Sequence, residues 1–144
     1  MGREYPDRPV PAVGAFIVNG GRILLVKRGH EPCAGKWSVP GGVIELGEKV
    51  EEALRREIKE ELGIDVEIMG ILDIYNSIFR DKRGNIRYHY VIIDFVAKPK
   101  TKNIKPSDEI LDYKWVELSE IEEMDVTPSL KRMIKKYGDL LLLV

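Results

Sequence analysis

Three glutamates in one short stretch could do chemistry together. The run from Gly42 to Ile64 reads GVIELGEKVEEALRREIKEELGI. Residues 49–62 are rich in Ala, Leu, Glu, Lys and Arg and contain no proline, the composition of a helix. Gly63 stands where a left-handed cap would end it. At about 100° per residue, Val50, Ala53, Leu54, Ile58 and Leu62 share one apolar arc, and Glu52, Arg55, Arg56 and Lys59 fall on the solvent side. Glu57 and Glu61 nevertheless lie inside the apolar arc, with Glu60 on its edge. Burying an unpaired carboxylate is costly, so such a violation marks a functional position. Carboxylates at i, i+3 and i+4 converge on one patch and repel unless a cation joins them. Oxygen donors without neighbouring His or Cys favour Mg2+, with Mn2+ the alternative, over Zn2+. Mg2+ commonly completes its shell with water and substrate phosphates. The helix therefore points to metal-assisted phosphate chemistry. The plainer alternative is a charged surface helix laced by Glu–Lys pairs.

The elements that must position this helix can be read in order. Residues 1–11 form a polar arm with three prolines, expected to lie on the surface. Residues 13–18 are β-branched and apolar, Asn19-Gly20-Gly21 is a hairpin turn, and Arg22–Arg28 is the return strand. A loop over 29–36 leads through Trp37 to Gly41-Gly42, a pair able to adopt backbone angles closed to other residues. After the helix come a long strand over 65–79 with a bend near Gly70, a charged hairpin loop over 80–85 and a second long strand over 86–97. A polar loop at 98–108 precedes a short strand at 111–117. Ser119 with Glu122 reads as a capping box, and Thr127-Pro128 opens a last helix at 129–137. Helices interleaved with long strands predict an α/β fold, a mixed central sheet between helices, in one domain spanning 1–144 with its core at about 10–137.

Composition narrows the function classes. With a net charge of −1, the chain lacks the basic footprint of a protein that coats a nucleic-acid polymer. Its single cysteine, Cys33, excludes an internal disulfide and suits a reducing, cytoplasmic setting. The start of the chain has no apolar run of signal-peptide length, and the longest apolar run, residues 140–144, is too short to span a membrane. The apolar tail 139–144 could instead dock on its own domain or on a second copy as a homodimer contact.

The spacing Gly42, five residues, Glu48, seven residues, then Arg56-Glu57-Ile58-x-Glu60-Glu61-x-Gly63-Ile64 resembles the Nudix box, with every fixed position of the pattern filled. The resemblance implies an α/β/α sandwich and a hydrolase that opens the diphosphate linkage of a nucleoside diphosphate joined to another group. It implies Glu57 and Glu61 as metal ligands, Glu60 as a ligand or a partner in water activation, and the carbonyl of Gly42 as a further ligand. Arg56, on the wet side of the wheel, reads as a clamp on Glu48 or Glu60, and Glu48 as the residue that orders the loop–helix junction. Similar enzymes place a base outside the box, which nominates Glu109 and makes Asp108 the neighbour to test.

Substrate selection must come from residues outside the helix. Tyr75, Phe79, Tyr88 and Tyr90 are candidate base stackers, with Tyr88 and Tyr90 on one strand face and His89 on the other. Lys27 and Arg28 are candidates for a substrate-phosphate or base contact and Arg80 and Arg87 for terminal phosphate or ribose, while Trp37 reads as rim packing and His30 as surface. The expected substrate is a small nucleotide, a nucleoside triphosphate (including an oxidised one such as 8-oxo-dGTP) cleaved to a monophosphate and pyrophosphate. The alternative is ADP-ribose, giving AMP and ribose 5-phosphate. The ADP-ribose branch carries a proline about 15 or 16 residues past the box glycine, where this chain has Ile78 and Phe79. A non-catalytic, nucleotide-sensing module is the distant alternative, because such modules tend to lose the box carboxylates.

Overall fold

The computed structural model describes residues 3–144. Seven strands and three helices follow one another along the chain: β1 (Val10–Asn19), β2 (Arg22–Arg28), β3 (Trp37–Ser38), β4 (Gly41–Val43), α1 (Val50–Leu62), β5 (Val66–Arg80), β6 (Ile86–Pro99), β7 (Ile110–Glu117), α2 (Leu118–Ile121) and α3 (Pro128–Leu141). Strand order is β3-β2-β1-β6-β5, with β4 also pairing β1 and β7 also pairing β2. β1 and β6 run parallel and the other pairings are antiparallel, so the sheet is mixed, as expected.

Alternation along the strands sorts the core into two layers. Val13, Ala15 and Ile17 of β1 face α1 with Leu24, Val26, Phe95 and Ala97, and meet Ala53, Leu54, Ile58 and Leu62. Phe16 and Val18 face the other way with Ile23, Leu25 and Val116, and meet Ile121, Leu130, Met133 and Leu141. The result is a sandwich with α1 on one face and α2 and α3 on the other. Among the described residues, no helix is long and apolar enough to cross a membrane.

α1 ends at Gly63, whose φ of 68° and N–H bond to the Lys59 carbonyl make the left-handed cap that the sequence predicts. The helices α2 and α3 are bounded differently from the sequence expectation. The capping box of α2 uses Glu117 and Glu120 rather than Ser119 and Glu122, so that helix starts directly off β7. Thr127 does cap α3, accepting from the Leu130 N–H, but α3 runs past Gly138 to Leu141. Leu141 is buried, so the tail docks on its own domain, while Leu140, Leu142 and Leu143 stay exposed. The arm before β1 is tied down: Tyr5 donates its N–H to the Arg87 carbonyl and its hydroxyl to Asp81, and Arg87 pairs with Glu4. The first two residues of the arm, also expected on the surface, lie outside the described residues.

β3 and β4 are too short to show a period in sequence, yet β4 fixes the site. Val13 pairs Gly42 and Gly14 pairs Gly41. A Cβ on Gly41 would overlap the Val13 carbonyl, so only glycine permits this approach. Gly41→Ala is expected to cost about 1–3 kcal/mol through overpacking, read as a lowered midpoint in thermal unfolding. A variant melting at the wild-type temperature would show that β1 and β4 do not need this close register.

Candidate active site

The buried face of α1 delivers Glu57 and Glu61 to the end of β4. They are 5% and 7% exposed, among residues that are otherwise apolar. Glu61 accepts from the Gly41 N–H at 2.9 Å. Glu57 lies directly over Gly42, where any Cβ would overlap its carboxylate. The glycine pair therefore serves two close approaches, one to the backbone of β1 and one to these carboxylates. Burial pushes Glu61 up to about 8, against the opposing Gly41 hydrogen bond. Burial also raises Glu57, with Arg56 opposing it and Glu60 and Glu109 adding to it.

Arg56 holds the cluster from behind. Its Nε and Nη2 donate to the two oxygens of Glu48 at 2.6 and 2.9 Å, a bidentate pair. Nη1 donates to Glu57 at 2.9 Å and to Glu60 at 3.2 Å, and Nη2 also reaches the Val43 carbonyl at 3.0 Å. Glu48 in turn accepts from the Glu45 N–H, which pins the loop before α1. The Arg56 guanidinium holds the Glu48 carboxyl down to about 2. Arg56 thus clamps Glu48 and Glu60 at once, and its wet-side position on the wheel is where a residue reaching both must start.

The expected convergence of three carboxylates is corrected by this clamp. Among the described residues, no three Asp, Glu, His or Cys side chains meet around one ion-sized point. Glu57 and Glu61 face the glycine pair, whereas Glu60 has a side chain 53% exposed and is drawn outward by Arg56. The residues still fit a hard divalent cation. Two buried carboxylates lack full compensation, their donors are all oxygen, and the backbone beside them carries no Cβ. Glu60 would join them by exchanging Arg56 for the ion.

Glu109 reaches the same place from another element. The loop before β7 is tied to the end of α1: the Lys105 N–H bonds the Leu62 carbonyl and the Ser107 N–H bonds the Glu61 carbonyl. Glu109 follows, close enough to raise both Glu57 and Glu61, and Gly29 packs against its backbone. A single cavity opens here. It is lined by Gly42, Glu57, Glu61 and Glu109 at one end and by Arg28, Tyr75, Phe79 and Tyr90 beyond. Arg28 is oriented by donating to the Pro32 carbonyl at 2.7 Å.

Other candidates lie elsewhere. Arg80 is not in the cavity, since its Nη1 donates to the Gly84 carbonyl and closes the β5–β6 hairpin. Arg87 is held by Glu4. Tyr88 is buried between the edge of Phe79 and the face of Tyr90. Trp37 packs with the α3-side core and is not among the residues lining the cavity. His30, read as surface, is exposed but does line the cavity mouth, and Asp108 is not among the lining residues. The sequence reading passed over Asp94, which lines the cavity from the middle of β6. The available signal was a lone acid in the apolar run YVIIDFVA.

Comparison with known proteins agrees with this geometry. Residues 8–137 match the NUDIX domain family. An ADP-ribose pyrophosphatase of Methanocaldococcus jannaschii is 35% identical, over 90% of this chain and 73% of that one. The nucleoside triphosphatase NudI of Escherichia coli K12 is also 35% identical, over 85% of this chain and 92% of that one. The crystal structure of a MutT protein from Methanosarcina mazei Go1 superposes with a TM-score of 0.77 at 29% identity, covering 92% of this chain and 96% of that one. A MutT NUDIX hydrolase from Burkholderia pseudomallei gives 0.76 at 31% identity, with 90% and 98% covered. With its box filled, its buried glutamates set against a glycine pair and its fold shared with these proteins, the chain belongs to the Nudix family.

Proposed function

We propose that this protein is a Mg2+-dependent pyrophosphohydrolase that cleaves a nucleoside triphosphate, including oxidised forms such as 8-oxo-dGTP, to a monophosphate and pyrophosphate. The observation that carries the reading is the buried Glu57–Glu61 pair at one end of a cavity whose other end is lined by aromatic rings. Carboxylates in such a place suit a divalent cation, and rings of Tyr75, Phe79 and Tyr90 suit a base. The triphosphate is preferred because the NudI relatives align over nearly their whole length and because Ile78 and Phe79 stand where ADP-ribose enzymes carry proline.

Glu57 and Glu61 would hold the ion, with Glu60 and the Gly42 carbonyl completing its protein ligands. When bound, it supplies charge neutralisation on the phosphates and lowers the pKa of water. The chain's own groups do the rest. Glu109 takes a proton from the attacking water as the water oxygen bonds to the α-phosphorus; the bond from that phosphorus to the α–β bridging oxygen breaks, and the bridging oxygen leaves with pyrophosphate. Arg28 faces the phosphates and offsets their charge. Arg56 fixes the carboxylate orientations, and Glu48 fixes Arg56. A second reading, hydrolysis of ADP-ribose to AMP and ribose 5-phosphate, is favoured by the likeness to the Methanocaldococcus jannaschii protein.

A screen of nucleoside triphosphates, 8-oxo-dGTP, ADP-ribose and dinucleotides with Mg2+, with products identified, tests this reading. Pyrophosphate with a monophosphate is the expected product pair, and Glu57→Gln should lower kcat about 100-fold or more. Wild-type turnover in that variant would remove Glu57 from the metal role, and ADP-ribose as the sole substrate would select the second reading. Arg56→Lys should lower kcat at least about tenfold with little change in KM, because a lysine cannot hold Glu48 bidentately. A changed KM with unchanged kcat would make Arg56 a substrate contact instead.

The raised Glu61 carboxyl gives a pH test. Burial pushes it up to about 8, above the roughly 4.3 of a glutamate in an unfolded chain, so the native state binds the extra proton between them. Metal-free stability is therefore full below the lower value and is lost as pH rises through the higher one. The thermal midpoint in chelator should fall from pH 5 to pH 8.5, and added Mg2+ should restore more at pH 8.5 than at pH 5. An Mg2+ effect equal at both pH values would contradict binding at this carboxylate.

A further inference from the structure

We propose that Asp94 selects the base, accepting a hydrogen bond from the exocyclic amino group of a nucleobase held in the cavity. The proposal rests on the nucleotide reading above. Asp94 sits in mid-β6 on the same strand face as Tyr90 and Ile92 and lines the cavity with them. It is 1% exposed; the Tyr75 hydroxyl approaches it, but no hydrogen bond of good geometry reaches either of its oxygens among the described residues. A buried carboxyl without partners destabilises a fold, and an apolar side chain would pack there at less cost. Room has been made for it all the same. Gly14 is its register partner on β1, and a Cβ there would overlap Asp94 Oδ1.

The register also relates Asp94 to the glutamates. Asp94 pairs Gly14, and Gly14 pairs Gly41, whose N–H is held by Glu61. Two strand spacings, roughly 10 Å, separate the ends of that row. Asp94 and the phosphate end of the cavity are thus apart by a distance that a nucleoside can bridge, with base at one end and phosphates at the other. The Tyr75 hydroxyl lies near Asp94 and Ser129 and shields the carboxyl. A base edge entering the cavity displaces that hydroxyl. An amino group donates to an Asp94 oxygen, whereas a keto oxygen in the same place meets the carboxylate's lone pairs. Phe16, Val39 and Leu130 line the same cavity, and such apolar walls suit a flat base better than a ribose.

The test is equilibrium binding of monophosphates, which have no anhydride to cleave: CMP against UMP, AMP against IMP and GMP against IMP, with dCMP as a ribose control. Burial pushes Asp94 up to about 7, so titrations at pH 8.5 keep it ionised. At least one amino member should bind fivefold or more tightly than the partner that lacks that amino group (a keto oxygen in UMP and in IMP against AMP, a hydrogen in IMP against GMP), and Asp94→Asn should bring that ratio below fivefold. All three wild-type ratios below fivefold overturn the proposal without any variant. A ratio that Asp94→Asn leaves above fivefold, or a change confined to CMP against dCMP, overturns it as well. Amino preference in a protein that hydrolyses no nucleoside triphosphate would sink the catalytic reading and leave this one standing. Turnover without amino preference would do the reverse.

Discussion

Two carboxylates on the core side of a helix have to be tolerated by everything around them. Glu57 and Glu61 are shielded from water by the same packing that holds α1 to the sheet. Their compensation is partial: one backbone N–H for Glu61 and one guanidinium contact for Glu57. The remaining deficit is a demand for positive charge at a fixed place. Gly41 and Gly42 allow that place to lie against backbone, and Arg56 with Glu48 keeps it from collapsing. Under the proposed function, stability surrendered at this point would be recovered on binding a cation and phosphates, which would tie the local instability to ligand binding.

The helix was legible in the sequence because type and period report the same thing there. Ala53, Leu54, Ile58 and Leu62 define the buried arc, so acids inside it stand out, and the structure buries Glu57 and Glu61 while exposing Glu60. Pattern could not show that Arg56 would pull Glu60 outward, since that depends on where Glu48 and Val43 lie in space. β3 and β4 have two and three residues, too few for alternation to register. Arg80 is a sequence candidate for terminal phosphate or ribose, yet turn geometry gives it the Gly84 carbonyl. The sequence reading bounds the last helix at 129–137, but α3 continues through Gly138, which packs close to Leu118.

Asp94 repeats the same logic on a strand. Period two places it among inward residues, and its charge breaks the apolar run. A glycine beneath each acid, Gly42 under Glu57 and Gly14 under Asp94, marks the two ends of one cavity. The middle strand β1 joins them through paired registers on both sides. Both ends of the cavity are thereby referred to one strand, and the loop before β7 supplies Glu109.

The most direct test is a crystal structure with Mg2+ and a nucleotide whose scissile bond cannot be hydrolysed. Carboxylate oxygens of Glu57 and Glu61 should lie at about 2.0–2.1 Å from the ion, with the phosphates on its far side and Glu60 released from Arg56. An ion bound elsewhere, with both carboxylates still turned to the glycine pair, would contradict the account.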